Sequence, residues 1–179
     1  MEFEKATNYK KQIKKLYRTA FPKEERAPLF MLYKRAKKEE NSFIAVTENE
    51  EFIGLIYILT NQKTAYIFFL AVEEEKRGNG YGTKILQKIK SLYPEKAIIL
   101  MIEDTTEEGA KNMPERLRRL GFYRNNGFSQ LGIKINEAGV KYELLGTDSS
   151  STRDDFFSLM KDFLGKFLFK FIYNKSNFR

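Results

Sequence analysis

Three glycines at alternate positions, Gly78, Gly80 and Gly82, follow a β-branched and aromatic segment and open an amphipathic one. Glycine lets a backbone come close to a ligand, and the N–H groups at the start of a helix favour an anion. The spacing is not that of a Walker loop, because Thr83-Lys84 stand in the wrong order. Nor is it a dinucleotide fingerprint, whose third glycine comes one residue later. The stretch predicts either a phosphate-binding loop of another kind or a plain chain reversal.

Two residue types that carry much of enzyme chemistry are missing, since the chain has no cysteine and no histidine. Their absence excludes disulfides, thiolate metal sites, cysteine nucleophiles and the Ser-His-Asp machinery. Any proton transfer must therefore use a carboxylate, a tyrosine, a lysine, a terminus or water. We expect no metal in the site.

The chain is basic, with a net charge of +8 from 32 basic and 24 acidic residues. Such a surface suits nucleic acid, an anionic membrane or a small molecule that bears phosphates, and charge alone does not choose among them. The N-terminal residues lack the pattern of a secretory signal, and the longest apolar run, around Ala65–Val72, is far shorter than a membrane span. We expect a cytoplasmic protein.

The glycine loop lies between a predicted strand, Thr64–Val72, and a predicted helix, Tyr81–Tyr93, which Pro94 ends. The continuous apolar run Ala97–Ile102 then predicts a strand buried on both faces. A strand, a helix and a strand in this order indicate a βαβ unit with a right-handed crossover. The fold class predicted is α/β (α+β): a single domain with a mixed, mostly antiparallel sheet, a central βαβ unit and helices on both faces.

The other elements follow from changes in hydrophobic period along the chain. The pattern predicts helices at Thr7–Ala20, Leu29–Lys38, about Glu107–Leu120 and Asp154–Tyr173, and strands at Ser42–Thr47, Phe52–Leu59, about Phe128–Ile135 and Val140–Leu145.

Two motifs in this frame resemble the GNAT superfamily of acyl-CoA-dependent N-acyltransferases. The run Arg77-Gly78-Asn79-Gly80-Tyr81-Gly82 is similar to that family's Arg/Gln-x-x-Gly-x-Gly/Ala loop, with an apolar strand before it and a helix after it. The run Phe122-Tyr123-Arg124-Asn125-Asn126-Gly127-Phe128 looks like the family's second signature, an aromatic pair followed by a short turn and Gly-Phe. The order of elements over about Thr7–Leu145 also agrees with that fold.

The resemblance implies acetyl-CoA, or another acyl-CoA, as the acyl donor, lying across a splayed gap between the strands Thr64–Val72 and Ala97–Ile102. Backbone groups at the end of the first strand would bond the pantetheine arm like an added strand. The loop and the helix start would hold the pyrophosphate. The residues so assigned to the cofactor are Leu70, Ala71 and Val72 in the strand, and Arg77, Gly78, Asn79, Gly80, Tyr81, Gly82 and Thr83 after it.

Acyl transfer to an amine by direct attack needs a way to remove the amine's proton and a donor for the leaving thiolate. By resemblance, Tyr123 matches the family tyrosine that acts as the acid. Glu103, with Asp104 beside it, follows the strand Ala97–Ile102, and open α/β sheets bind ligands at that end. We therefore predict Tyr123 as the acid and Glu103 as the base. The acceptor is an unidentified amine: a small amine, an aminoglycoside-like molecule, a peptide N-terminus or a lysine.

One departure from the family pattern concerns the cofactor. Many relatives carry Asn seven residues before the tyrosine and a small residue four before it, where this chain has Arg116 and Arg119. The two arginines either replace the missing contact with a phosphate contact or bind an anionic acceptor.

The resemblance implies an N-acetyltransferase domain at residues 1–147, and the sequence predicts a separate tail at 148–179. The tail comprises a serine-rich linker and a helix rich in phenylalanine. We expect this helix to pack on the domain or to pair with a second copy in a homodimer. Contact with an anionic membrane is the less favoured alternative.

Two other functions stay open on the sequence alone. One is an acyl-CoA sensor that binds without turnover. The other is a non-catalytic basic module for nucleic acid or acidic partners, which predicts a basic stripe with interleaved aromatics. No such stripe is visible in the sequence, so nucleic acid is not expected.

Overall fold

The computed structural model describes residues 1–137 and 139–173. Within these ranges seven strands form one sheet, in the spatial order β1-β2-β3-β4-β5-β7-β6. The strands are β1 Glu2–Lys5, β2 Asn41–Glu48, β3 Glu51–Thr60, β4 Thr64–Val72, β5 Ala97–Glu103, β6 Ser129–Glu137 and β7 Val140–Gly146. The α-helices are α1 Lys10–Ala20, α2 Leu29–Arg35, α3 Tyr81–Leu92, α4 Met113–Asn125, α5 Arg153–Leu164 and α6 Lys166–Ile172. The predicted α/β class, with a mostly antiparallel sheet, is confirmed.

The described residues form two compact units: 1–60 with 67–94, and 61–66 with 95–137 and 139–173. In the first unit, β2 and β3 make a hairpin, paired from Asn41 opposite Leu59 to Glu48 opposite Glu51. Asn49 and Glu50 have φ values of 51° and 66°, as a two-residue hairpin turn requires. Helix α1 buries its apolar stripe, Ile13, Leu16 and Tyr17.

Strand β3 comes unusually close to the end of β4. A Cβ atom built on Gly54 would lie 2.3 Å from the carbonyl oxygen of Ala71. The register of β2 against β3 shifts beside this point. Val46 pairs with Gly54, whereas the next residue, Thr47, pairs with Phe52. Glycine is therefore required at position 54 by close packing of backbone on backbone.

The second unit contains the antiparallel set β5, β7 and β6, with Leu100 opposite Leu145 and Gln130 also opposite Leu145. Helix α5 begins with a capping box, in which the Thr152 hydroxyl accepts from the Asp155 N–H and the Asp155 carboxylate accepts from the Thr152 N–H. Its inward face is aromatic, and Phe156 meets Tyr66 edge-on at 5.1 Å between ring centres.

The structure differs from the prediction at three elements. Strand β1 has no counterpart in the predicted elements. The helix expected at about Glu107–Leu120 begins at Met113 and continues through Gly121 to Asn125, so it carries the second motif. The helix expected at Asp154–Tyr173 is two helices, because Gly165 has φ 81° and ψ 156°, a conformation outside any helix. None of the helices in the described parts of the chain has the length and apolar character to span a bilayer.

Candidate functional site

The glycine loop joins the end of β4 to the start of α3 through a short 3-10 helix, Glu74–Lys76. Gly78 and Gly80 have φ values of 80° and 75°, in the left-handed region that glycine adopts without strain. A Cβ on either residue would meet no described atom within 4 Å. The two glycines are therefore required by the turn of the backbone, and the space in front of them is open.

Helix α3 presents its first turn to this open space. Gly80 is the residue that precedes the helix, and the Lys84 N–H donates to the Gly80 carbonyl at 3.1 Å as the helical ladder begins. The N–H groups of a helix's first turn have no partner within the helix, and its dipole favours negative charge there. This geometry is suited to a phosphate group, which is one of the two interpretations that the sequence leaves open.

Two side chains of the loop brace it from within. The Arg77 Nε donates to the carbonyl of Val72 at 3.2 Å, which closes the loop on the end of β4. The Asn79 side-chain amide donates to the carbonyl of Lys76 at 3.2 Å. The sequence singled out these positions for their backbone, and the structure adds that their side chains fix the path of the loop.

The cations beside the loop are partly neutralised by glutamates. Glu48 accepts a hydrogen bond from the Tyr81 hydroxyl at 2.8 Å and lies 3.7 Å from the Lys84 ammonium. The Tyr81 hydrogen bond is the main reason that the pKa of Glu48 is lowered, with the charge of Lys84 adding to it. Lys76 pairs with Glu51 at 2.7 Å. Exposed ion pairs of this kind contribute little stability. They do, however, leave less of the charge of Lys76 and Lys84 available to a ligand.

At the end of β4, the three strand residues assigned to the cofactor differ in exposure. Ala71 is buried, whereas Leu70 and Val72 are half-buried. The Ala71 carbonyl lies against Gly54, and the Val72 carbonyl accepts from Arg77.

In the second unit, α4 places Tyr123 among aromatic rings. Its ring lies 5.1 Å from that of Phe122 and 5.8 Å from that of Phe128. Burial raises the pKa of Tyr123 to about 12, and the nearby charge of Arg119 opposes this rise. No group among the described residues hydrogen-bonds its hydroxyl. Tyr123 is therefore protonated at neutral pH and able to donate to a ligand.

Glu103, the predicted base, ends β5 with both carboxylate oxygens occupied. One oxygen accepts from the Asn112 amide at 2.8 Å and lies 3.2 Å from the Arg116 guanidinium. The other accepts from Arg119 at 2.8 Å. The sequence did not anticipate that Glu103 would join the two arginines that depart from the family pattern.

Arg116 is buried, with 6% of its surface exposed, and its donors are used inside the unit. It donates to the Asn112 side chain at 2.9 Å, to the Asp104 carbonyl at 2.7 Å and to Glu107 at 2.9 Å. A buried guanidinium with this many partners holds the 103–116 segment together. Arg119 is half exposed and pairs with Glu103, so it is the arginine better placed to meet a ligand.

Asp104 belongs to a separate ion group. Its carboxylate accepts from the Lys134 ammonium at 2.6 Å and from the Thr106 N–H at 2.9 Å. Burial raises the pKa of Asp104, but the hydrogen bonds from Lys134 and Thr106 together outweigh it, so the pKa is lowered. Lys134 also lies 3.3 Å from buried Glu143. Both acidic residues at the end of β5 are thus tied to cations.

Comparison with known proteins adds the family. The model of the acetyltransferase (GNAT) family matches residues 10–128, which is more than half of the chain. No curated protein matches the chain. Among solved structures, a protein from Bacteroides thetaiotaomicron described as an acetyltransferase of the GNAT family has a TM-score of 0.74 at 18% identity, covering 94% of this chain and 98% of that one.

Two further structures of similar fold have named activities. An aminoglycoside 6'-N-acetyltransferase complexed with coenzyme A has a TM-score of 0.66 at 17% identity, covering 86% of this chain and 100% of that one. The ribosomal-protein-S18-alanine N-acetyltransferase from Escherichia coli has a TM-score of 0.61 at 14% identity, covering 86% and 96%. At sequence identities this low, the structural similarity shows a common fold and nothing more specific.

Proposed function

Because the chain belongs to the GNAT family of acetyltransferases, we propose that it transfers an acetyl group from acetyl-CoA to a primary amine by direct attack in a ternary complex. The observation that carries the proposal is the loop from Arg77 to Thr83. It has two left-handed glycines, open space in front of them and the start of a twelve-residue helix behind them.

In this proposal the loop binds the pyrophosphate of acetyl-CoA through backbone N–H groups, and the side chains of Arg77 and Asn79 keep the loop in shape. The strand end Leu70–Val72 binds the pantetheine arm through its backbone. No metal takes part. The positive net charge favours the approach of a phosphate-bearing donor.

The chemical step exchanges one bond for another. The amine nitrogen bonds to the thioester carbon, the carbon–sulfur bond breaks, and the proton lost by nitrogen balances the one gained by sulfur. A thiol has an ordinary pKa of about 8.5. Since the pKa of Tyr123 is about 12, complete proton transfer from its hydroxyl to the thiolate is uphill. Tyr123 is therefore proposed to act as a hydrogen-bond donor that stabilises negative charge on the departing sulfur.

The predicted role of Glu103 as base stays a prediction, and its contacts favour a second role. A carboxylate that already accepts from Asn112, Arg116 and Arg119 is suited to positioning the arginines of α4. With Glu103 used in this way, water is the carrier of the amine proton.

The test is transfer itself, measured across a panel of amines. The panel contains polyamines, aminoglycosides, peptides with a free N-terminus and peptides with an internal lysine. We expect release of the CoA thiol and the mass of one acetyl group on at least one class of amine. Binding of acetyl-CoA with no product from any class would instead support the sensor function.

A further inference from the structure

Helix α6 carries two phenylalanines that nothing in the described chain covers. Phe167 is 89% exposed and Phe171 is 79% exposed. They lie four residues apart, so they are neighbours on one side of the helix. The opposite side of α6 is fixed against α5: Phe169 meets Phe157 edge-on at 5.6 Å, and Tyr173 lies 5.3 Å from Phe157. The two exposed rings therefore cannot turn inward without breaking these contacts.

Lysines surround the two rings. Lys166 and Lys170 also lie four residues apart and adjoin the phenylalanines on the exposed face, and Lys161 at the end of α5 is exposed as well. None of the three has an acidic partner among the residues that the structure describes. From Lys161 onward the sequence has five basic residues and one acidic residue, Asp162. The exposed face of α6, defined by Lys166, Phe167, Lys170 and Phe171, is thus apolar and cationic together.

We propose that this face binds the surface of an anionic lipid bilayer. Aromatic side chains on a short helix can enter the boundary between headgroups and acyl chains, while adjacent lysines stay at the level of anionic headgroups. A second copy of the chain fits this face less well, because a symmetric contact would bring the unpaired lysines of both copies together. The proposal does not depend on the acetyltransferase activity.

The experiment is sedimentation of the full chain with vesicles. One set contains phosphatidylcholine alone, and the other contains phosphatidylcholine mixed with phosphatidylserine. We expect the protein to sediment with the mixed vesicles and to remain in the supernatant with phosphatidylcholine. Added salt should release it, since screening weakens the attraction of lysines to headgroups.

Matched variants test whether binding to vesicles depends on the α6 face or on exposed apolar side chains in general. Phe167→Ser with Phe171→Ser should lower partition to the mixed vesicles by about tenfold or more, and Lys166→Glu with Lys170→Glu should abolish it. Phe30→Ser is the control, because Phe30 is 75% exposed on α2 and is absent from the α6 face. A melting temperature like that of the wild type would show that each variant is folded.

Three results would overturn the proposal. The first is equal sedimentation with both vesicle sets, or with neither. The second is loss of binding in the Phe30 variant as large as in the α6 variants. The third is a dimeric mass by light scattering that becomes monomeric in the Phe167/Phe171 variant, which would assign the face to a second copy.

Discussion

Gly80 is the residue at which the proposed binding of acetyl-CoA is most directly tested. We expect acetyl-CoA to raise the melting temperature of the wild type, because a ligand bound only to the folded state stabilises it. Gly80→Asp should abolish this rise. The substitution puts a carboxylate into the open space before α3, where the phosphates are proposed to lie. The measurement is thermal unfolding with and without acetyl-CoA.

Gly109→Asp is the control for backbone strain. Gly109 has φ 77°, close to the 75° of Gly80, and a Cβ there also meets no described atom within 4 Å. Both variants should lose similar intrinsic stability, because an L-residue in this region costs about 1–2 kcal/mol. Only Gly80→Asp should lose the response to acetyl-CoA. An undiminished response in that variant would place the phosphates elsewhere.

Tyr123 is tested by removing its hydroxyl alone. Tyr123→Phe should lower turnover by about 100-fold, because the departing sulfur loses its donor, and should leave acetyl-CoA binding nearly unchanged. Folding should persist, because the ring contacts with Phe122 and Phe128 remain. Tyr93→Phe, at another half-buried tyrosine, is the matched control and should keep wild-type turnover. Equal rates in both variants would assign Tyr123 to packing.

Glu103→Gln separates the two roles of that carboxylate. The amide keeps the shape but removes the charge that faces Arg116 and Arg119, so we expect the free energy of unfolding to fall by about 1–3 kcal/mol. Turnover should fall by no more than about tenfold, with the same dependence on pH. The measurements are urea unfolding and a pH–rate profile, with Glu108→Gln as the exposed control. A loss of 100-fold or more, with the acidic limb of the profile gone, would restore Glu103 as the base.

At the scale of the elements, the two tail helices, α5 and α6, are packed in very different ways. Phe156 of α5 is fully buried against Tyr66, Phe157 and Tyr173, whereas Phe167 of α6 is largely exposed. We therefore expect Phe156→Ala to lower the free energy of unfolding by about 3–5 kcal/mol. Phe167→Ala, the same change on the neighbouring helix, should alter it by less than about 0.5 kcal/mol.

Urea unfolding measures both variants. A small loss for Phe156→Ala would mean that α5 contributes little to the second unit.

Because α5 packs on Tyr66, truncation after Ser150 should leave Tyr66 and its neighbours uncovered and cause aggregation, which light scattering would detect.

The sequence predicts helices and strands well where the hydrophobic period agrees with the positions of proline and glycine. Strand β4 has the predicted bounds, and α3 ends one residue before its predicted end, because Pro94 follows it. Helix α4 was misplaced because Pro114 favours the first turn of a helix and because Gly121, a residue expected after a helix end, lies in its interior. The break at Gly165 was missed because the phenylalanines on either side keep one helical spacing.

The candidate site was predictable in its backbone and less so in its side chains. Alternate glycines before an amphipathic helix are a local pattern, and the left-handed φ values of Gly78 and Gly80 agree with it. The contacts of Glu103 with Asn112, Arg116 and Arg119 join residues up to sixteen positions apart. Such contacts depend on how α4 packs on β5, and no periodicity in the sequence encodes that.

For the whole molecule, the absence of histidine and cysteine sets how stability depends on pH. No side chain has an ordinary pKa between about 5 and 8, so the free energy of unfolding should be nearly constant across that range. Burial raises the pKa values of Tyr17, Tyr57 and Tyr173, and that of Tyr123 to about 12. Their stabilising effect is complete below their unfolded value of about 10 and is lost as the pH rises toward the folded values.

The acidic side has the opposite sign. The lowered pKa of Asp104 means that its contribution is present above its unfolded value of about 3.9 and is lost as the pH falls below it. Urea unfolding at a series of pH values should therefore give a plateau with a fall at each end. A step near pH 6.5 would contradict the prediction, because a chain without histidine gives such a step only through a group whose pKa is strongly shifted.

Gly54 restricts which sequences this molecule can accept. The space that a side chain would need at this position is occupied by the main-chain carbonyl of Ala71, whose oxygen lies 2.3 Å from where a Cβ atom would be. A main-chain group cannot rotate away as a side chain can. Every alternative amino acid meets the same obstacle, from alanine upward. In a library randomised at this position and selected for folded protein, we expect glycine alone to survive, whereas Gly78 and Gly80, which face open space, should tolerate asparagine in the same selection.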